Sequence, residues 1–175
     1  MIILAENEKK SDACHCERGC MMECYVKEFQ ELTTTEWYEM ARLRSDVFIV
    51  EQTSAYHEFD NLDQMSRHIY LKDDGEIVSY CRIIPEGLVY PETTISRVIV
   101  KATHRKKGLG RVLLTCAVEE ASAHNTKPIQ IQAEQYLTDF YASFGFLVVS
   151  EPYLDCEIWH VDMVRRISDV SSESI

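Results

Sequence analysis

Glycine and proline are scarce: 175 residues carry 6 Gly and 4 Pro, which excludes a collagen-like or low-complexity chain. No run of 18 apolar residues occurs, and the apolar first four residues lead at once into Glu6, Glu8, Lys9 and Lys10. Neither a membrane span nor a signal-peptide core is therefore expected. Positive charge is also short, with 18 Lys and Arg against 29 Asp and Glu and a formal charge of −11. A general nucleic-acid binder needs a basic face to displace counterions from phosphate. The expectation is a soluble cytoplasmic protein with no membrane or nucleic-acid partner. No internal repeat is visible, and the length suits a single domain.

Cysteine is present but in the wrong pattern for a secreted disulfide framework. The seven are an odd number, and Cys81, Cys116 and Cys156 fall among strand-like and helix-like segments, so reduced thiols are expected. Cys14, Cys16, Cys20 and Cys24, with His15 among them, match none of the common structural zinc spacings, and no metal is expected. Residues 1–21 read as a flexible Cys-containing extension, 22–167 as the domain and 168–175 as a Ser-rich tail.

Within the domain, strand and helix patterns alternate. Glu23 to Glu31 reads as a strand, and Thr33 with Glu36 forms a capping box. The helix that this box opens carries Trp37, Met40, Leu43, Val47 and Val50 at helical spacing as far as Gln52. Strands over His68–Lys72 and Glu76–Ile84 flank the turn signal Asp73-Asp74-Gly75, and Thr93–Lys101 is rich in β-branched residues. Val112, Leu113, Cys116, Ala117 and Ala121 give Gly108–His124 one apolar helix face. A short strand spans Ile129–Ala133, and a short helix around Phe140 ends at Gly145. Strands over Phe146–Glu151 and Ile158–Arg165 complete an α/β chain with a mixed sheet.

The segment richest in chemistry is Ser96 to Leu114. Lys101, Arg105, Lys106, Lys107 and Arg111 put five positive charges and no carboxylate into a short stretch of an acidic chain. The stretch runs through Gly108 and Gly110 into a helix, whose free first-turn N–H groups and dipole favour phosphate oxygens. The Walker loop and the dinucleotide Gly-x-Gly-x2-Gly fingerprint are both absent. A tight turn beside a solvated basic face would also satisfy the glycines and the charges. The ordered succession of strand, basic loop and amphipathic helix favours anion binding.

Arg105-Lys106-Lys107-Gly108-Leu109-Gly110 resembles the Arg/Gln-x-x-Gly-x-Gly/Ala signature of the GNAT superfamily of acyl-CoA-dependent N-acyltransferases. Phe140-Tyr141-Ala142-Ser143-Phe144-Gly145-Phe146 looks like its FYxxxGF segment. A finer resemblance, to the ElaA-like branch, runs from about residue 24 to 165. It includes Leu43-Arg44, Val47 to Gln52, Tyr56 with Asp60, His68, Arg82-Ile83, Arg97 to Val100, Tyr153, and Ile158 with His160. Departures from that pattern are Ser54-Ala55-Tyr56, Tyr136, and Glu157-Ile158-Trp159-His160, near the acceptor site.

The resemblance implies a GNAT fold: a mixed, mostly antiparallel twisted sheet flanked by helices, with a splayed central strand pair forming the acyl-CoA cleft. It implies that the backbone of Val98, Ile99 and Val100 meets the pantetheine arm, and that Arg105, Lys106, Lys107, Gly108, Leu109, Gly110 and Arg111 cradle the pyrophosphate. The reaction implied is transfer of an acetyl group from acetyl-CoA to a primary amine of a small molecule or peptide, in a ternary complex and without a metal. Tyr141 takes the position of the general acid. For the base, Glu51 is a candidate if partial burial in an apolar run raises its pKa, and His160 is the other; a water relay is compatible with both. Cys81 and Cys116 lack the surroundings that activate a thiol and read as core residues. If Glu51, Glu58, Asp60, Asp63, Asp155 and Glu157 line one cleft, they favour a cationic acceptor; if spread, they are a solvated face. A non-catalytic acyl-CoA-binding or protein-interaction module on the same fold is the alternative. GNAT members are often homodimers, and the sequence fixes no interface.

Overall fold

The computed structural model describes residues 23–123 and 127–166. Cys14, Cys16, Cys20, the rest of the 1–21 extension and the 168–175 tail lie outside them. The first four strands are β1 (Cys24–Glu28), β2 (Arg67–Asp73), β3 (Glu76–Ile84) and β4 (Thr93–Val100), each antiparallel to the next. Asp74 (φ 49°) and Gly75 (φ 81°) both turn left-handed between β2 and β3, the geometry whose twist matches a two-residue hairpin.

Thr33 caps helix α1 (Thr34–Arg44) as the sequence pattern requires, accepting from the Glu36 N–H at 3.2 Å. Beyond Arg44 the chain does not continue as an α-helix. Ser45–Glu51 winds as a π-helix, closed by Gln52 N–H donating to the Val47 carbonyl at 3.1 Å. π-turns inside helices often accompany functional sites, and this one puts Phe48, Glu51 and Gln52 on the wall of a cleft.

Helix α2 (Leu109–Ala123) crosses to β5 (Ile129–Glu134), and α3 (Thr138–Ala142) precedes β6 (Leu147–Val148). The described residues finish with the hairpin β7 (Tyr153–Asp155) and β8 (Ile158–Arg165). The sheet order is β1-β2-β3-β4-β5-β8-β6, with β7 also on β8. Further departures from the sequence pattern are that Phe29–Glu31, expected within the first strand, winds as a 3-10 turn, that β7 was not signalled, and that of the strand expected over Phe146–Glu151 only Leu147–Val148 forms a strand.

Side chains of β2 sort to opposite faces, as the two-residue period dictates. Ile69 and Leu71 pack with Leu113, Ala117 and Phe146 on the α2 side, and Tyr70 with Met40, Leu43 and Tyr80 on the α1 side. Every residue from Ile77 to Ile84 is buried, so β3 is covered on both faces along its length. Cys24, Cys81 and Cys116 all lie in the α2-side core; burial pushes the Cys81 thiol up, out of the range of a nucleophile. None of the described helices is long and apolar enough to cross a membrane.

The feature that positions the site is the parting of β4 from β5. They pair in parallel only at Thr93–Ile129 and Thr94–Gln130. Past that point, Tyr80 faces Ile99 while Arg82 faces Ser96, so β4 has one more residue than β3 over this span. Arg97 takes a left-handed φ of 56°, and such a bulge bends the strand that carries it.

Candidate active site at the strand splay

Two cavities open where the strands part. One, of about 330 Å³, extends toward the β7–β8 turn, and the other, of about 400 Å³, toward the loop before α2. Phe48, Gln52, Val98, Glu134, Leu137 and Tyr141 line both. Tyr141 comes from the short helix α3, where its ring meets Phe140 and Phe146 edge-on. Its hydroxyl makes no hydrogen bond to another described residue, and burial holds its pKa above the ordinary phenol value. The group is therefore a protonated donor at neutral pH.

On the loop side, Lys106 (φ 62°) and Gly108 (φ 85°) turn left-handed, and Arg111 N–H closes on the Gly108 carbonyl at 2.9 Å. The first-turn N–H groups of α2 have no acceptor within their own helix. A Cβ on Gly110 would stand 3.7 Å from both Phe140 and Val100, so a methyl is accommodated and a longer side chain fills the cavity. Lys106 and Lys107 are exposed and form no ion pair among the described residues. Arg111 lies over the rings of Phe140 (5.9 Å) and Phe144 (5.4 Å), where cation–π attraction holds it.

Arg105 behaves differently from its neighbours. Its guanidinium bonds both Glu51 oxygens, at 2.5 and 2.8 Å, and Nε donates to the Val100 carbonyl at 3.0 Å. The raised pKa expected for Glu51 is therefore corrected: the Arg105 hydrogen bonds draw its pKa down, and the carboxylate is largely exposed rather than buried in its apolar run. The role expected for the Ile99 backbone is corrected too. Its carbonyl accepts from Ser79 Oγ at 2.9 Å, and Lys101 N–H bonds Val78, so alternate backbone groups face β3. Val98, beside Ile99, is left on the cleft side with the Val100 N–H, the Val100 carbonyl being taken by Arg105 Nε.

On the other side, His160 lies opposite Glu134 in the β5–β8 register and stacks on Tyr153. Its Nδ1 meets the Ile158 carbonyl at 2.9 Å. A carbonyl only accepts, so Nδ1 carries the hydrogen and Nε2 of the neutral ring holds a free lone pair. Glu134 accepts from Gln52 Nε2 at 2.6 Å and from the Tyr136 hydroxyl. No motif singled out Glu134; its signal was a carboxylate ending an otherwise buried strand. Thr94 Oγ1, on the same cavity wall, is buried with no hydrogen-bond partner.

Most of the acids expected to compete for the cleft are elsewhere. Arg44, with no solvent exposure, bonds Glu58 and Asp63 at 2.7 Å each. Arg82 reaches Asp63 at 2.8 Å and Asp60 at 2.5 Å, and Arg97 meets Glu58 at 2.8 Å. Burial would raise the Asp60 pKa, but Arg82, the Leu62 N–H and Arg97 bring it down to about 2. His68, kept neutral by burial, bonds Tyr80 below this network. Of the six acids weighed from sequence, Asp155 alone lines the turn-side cavity beside Glu134.

A family model described as an acetyltransferase (GNAT) domain matches residues 32–167. The chain belongs to the GNAT family. ElaA of Escherichia coli is 33% identical over 150 residues, spanning 84% of this chain and 98% of that protein. Its crystal structure superposes with a TM-score of 0.79, covering 83% of this chain and all of the other. An acyl-CoA N-acyltransferase of Pseudomonas aeruginosa gives a TM-score of 0.78 at 31% identity, covering 82% and 99% of the two chains. A UPF0039 protein of Synechocystis is 35% identical over 141 residues, 79% of this chain and 92% of its own. This GNAT domain thus has the fold and the ElaA-like relationship that its sequence pattern implied.

Proposed function

We propose that the protein is an N-acetyltransferase that moves an acetyl group from acetyl-CoA to a primary amine. The observation that carries this is the Tyr141 hydroxyl, protonated and unpartnered among the described residues, at the junction of two cavities. The loop-side cavity would take the CoA arm, with the α2 N-terminus and its basic loop at the pyrophosphate and the Val98 and Val100 backbone along the pantetheine. The similar Pseudomonas chain, itself an acyl-CoA N-acyltransferase, supports that use of the cleft.

In the reaction, Glu134 and His160 Nε2, directly or through a water, take one proton from the acceptor ammonium. The freed nitrogen pair attacks the thioester carbon and a C–N bond forms. The nitrogen of the tetrahedral intermediate gives up its second proton to solvent, the oxyanion collapses, the C–S bond breaks, and the departing thiolate takes the Tyr141 proton. Solvent then reprotonates the Tyr141 phenolate and carries off the proton held by the base. Glu51, paired with Arg105, serves as an anchor for the loop rather than as the base.

Calorimetric titration with acetyl-CoA, followed by an amine panel monitored by thiol release, tests this reading. Binding with turnover supports it. Binding with no thiol release from any amine overturns it in favour of a non-catalytic acyl-CoA-binding module.

A further inference from the structure

The cavity toward the β7–β8 turn holds more negative charge than the reaction needs. Glu134 and Asp155 have no cationic partner among the described residues. The guanidinium that lines the same wall, Arg97, is already matched by Glu58 at 2.8 Å and Asp60 at 3.5 Å. An incoming ammonium would answer Glu134 and then lose its charge on deprotonation, leaving Asp155 unanswered. Independently, Thr94 Oγ1 is buried in this wall without a partner, and a hydroxyl so placed calls for a ligand N–H or O–H.

Resting on the acetyltransferase reading, we infer that the acceptor is an aliphatic diamine or polyamine whose second nitrogen stays protonated while the first reacts. The first nitrogen lies at the Glu134 end, beneath Tyr141. The second is held by Asp155, and a remaining N–H of the chain finds Thr94 Oγ1. Strand register sets the scale between the two acids. Glu134 opposes His160, and Asp155 opposes Ile158 on the far side of β8. With strands about 4.8 Å apart and a rise of about 3.3 Å per residue, their Cα atoms stand roughly 12 Å apart. Both residues line the one cavity, Asp155 at its exposed rim, and an extended alkyl chain between their carboxylates fits that scale. At the Asp155 end, Ser54 Oγ donates to the Cys156 carbonyl at 3.2 Å and ties the β7–β8 turn to the opposite wall.

The test compares 1,4-diaminobutane with 1-aminobutane, both by calorimetry on the CoA-loaded protein and by thiol release with acetyl-CoA. The expected result is a preference for the diamine of at least about tenfold in Kd or kcat/KM, the size of one charge-assisted contact. That preference should collapse toward unity in Asp155→Asn and shrink by a few-fold in Thr94→Val, an isosteric change. CoA affinity reports whether each variant is folded. Equal treatment of the two amines, or a preference that persists in Asp155→Asn, overturns the inference while leaving acetyl transfer standing. Diamine binding that depends on Asp155 but releases no thiol supports the acceptor site and removes the transferase reading instead.

Discussion

Two groups of basic residues in this molecule meet opposite fates. Arg44, Arg82 and Arg97, far apart in sequence, converge on Glu58, Asp60 and Asp63 in one network. Lys106, Lys107 and Arg111, adjacent in sequence, find no carboxylate among the described residues. The first group is folded into the scaffold, where each charge is balanced by a neighbour. The second is left facing outward on a helix N-terminus, where only something from solution can balance it. Among these residues, it is the loop group that the fold leaves without a carboxylate.

That contrast can be broken most forcefully at its buried end. Arg44→Met should destabilise the protein by about 3–5 kcal/mol, because it takes one of two guanidinium partners from each of the buried Glu58 and Asp63 and leaves three carboxylates to two arginines; urea unfolding reads this directly. At the other end, Tyr141→Phe should lower kcat by roughly 100-fold. Its unfolding midpoint and CoA affinity should stay as they were, since the hydroxyl bonds no described residue. Gly110→Asp should weaken CoA binding by at least about tenfold through crowding and charge. Unchanged affinity in a folded Gly110→Asp protein would remove the loop assignment.

The smallest effect sharpens the comparison through pH. Burial alone would raise the Glu36 pKa, but hydrogen bonds from Tyr70, Thr33 and Lys27 carry it from 4.5 down to about 2. A carboxyl depressed in the folded state adds stability that is complete above its unfolded pKa and disappears as the pH falls through the folded one. Thermal unfolding should therefore show a loss between pH 4.5 and about 2 that is visibly shallower in Glu36→Gln.

Much of the fold was legible because its signals are local. The turn signal Asp73-Asp74-Gly75 marked the start of β3, and the Thr33–Glu36 box marked the start of α1. The loop from Arg105 to Gly110 was legible for the same reason. What escaped depends on distant partners. Nothing within Ser45–Glu51 announces π winding, and the three residues of β7 are a strand only because β8 lies beside them. The ElaA-like pattern singled out Arg44, His68, Arg82 and Arg97 without a role, and Asp60 was weighed only as a cleft acid; only the folded chain shows that they share one network. Glu51 misled because an apolar flank in sequence suggested burial, whereas its real neighbour, Arg105, is 54 residues away.

The bulge at Arg97 ties these observations to the history open to this chain. A left-handed backbone costs a residue with a Cβ about 1–2 kcal/mol, and glycine or asparagine would relieve it. Either would also delete one of the two guanidinium groups that hold Glu58. Local comfort and charge balance thus pull this position in opposite directions, and a substitution that looks benign by backbone preference is one that unbalances the cleft wall.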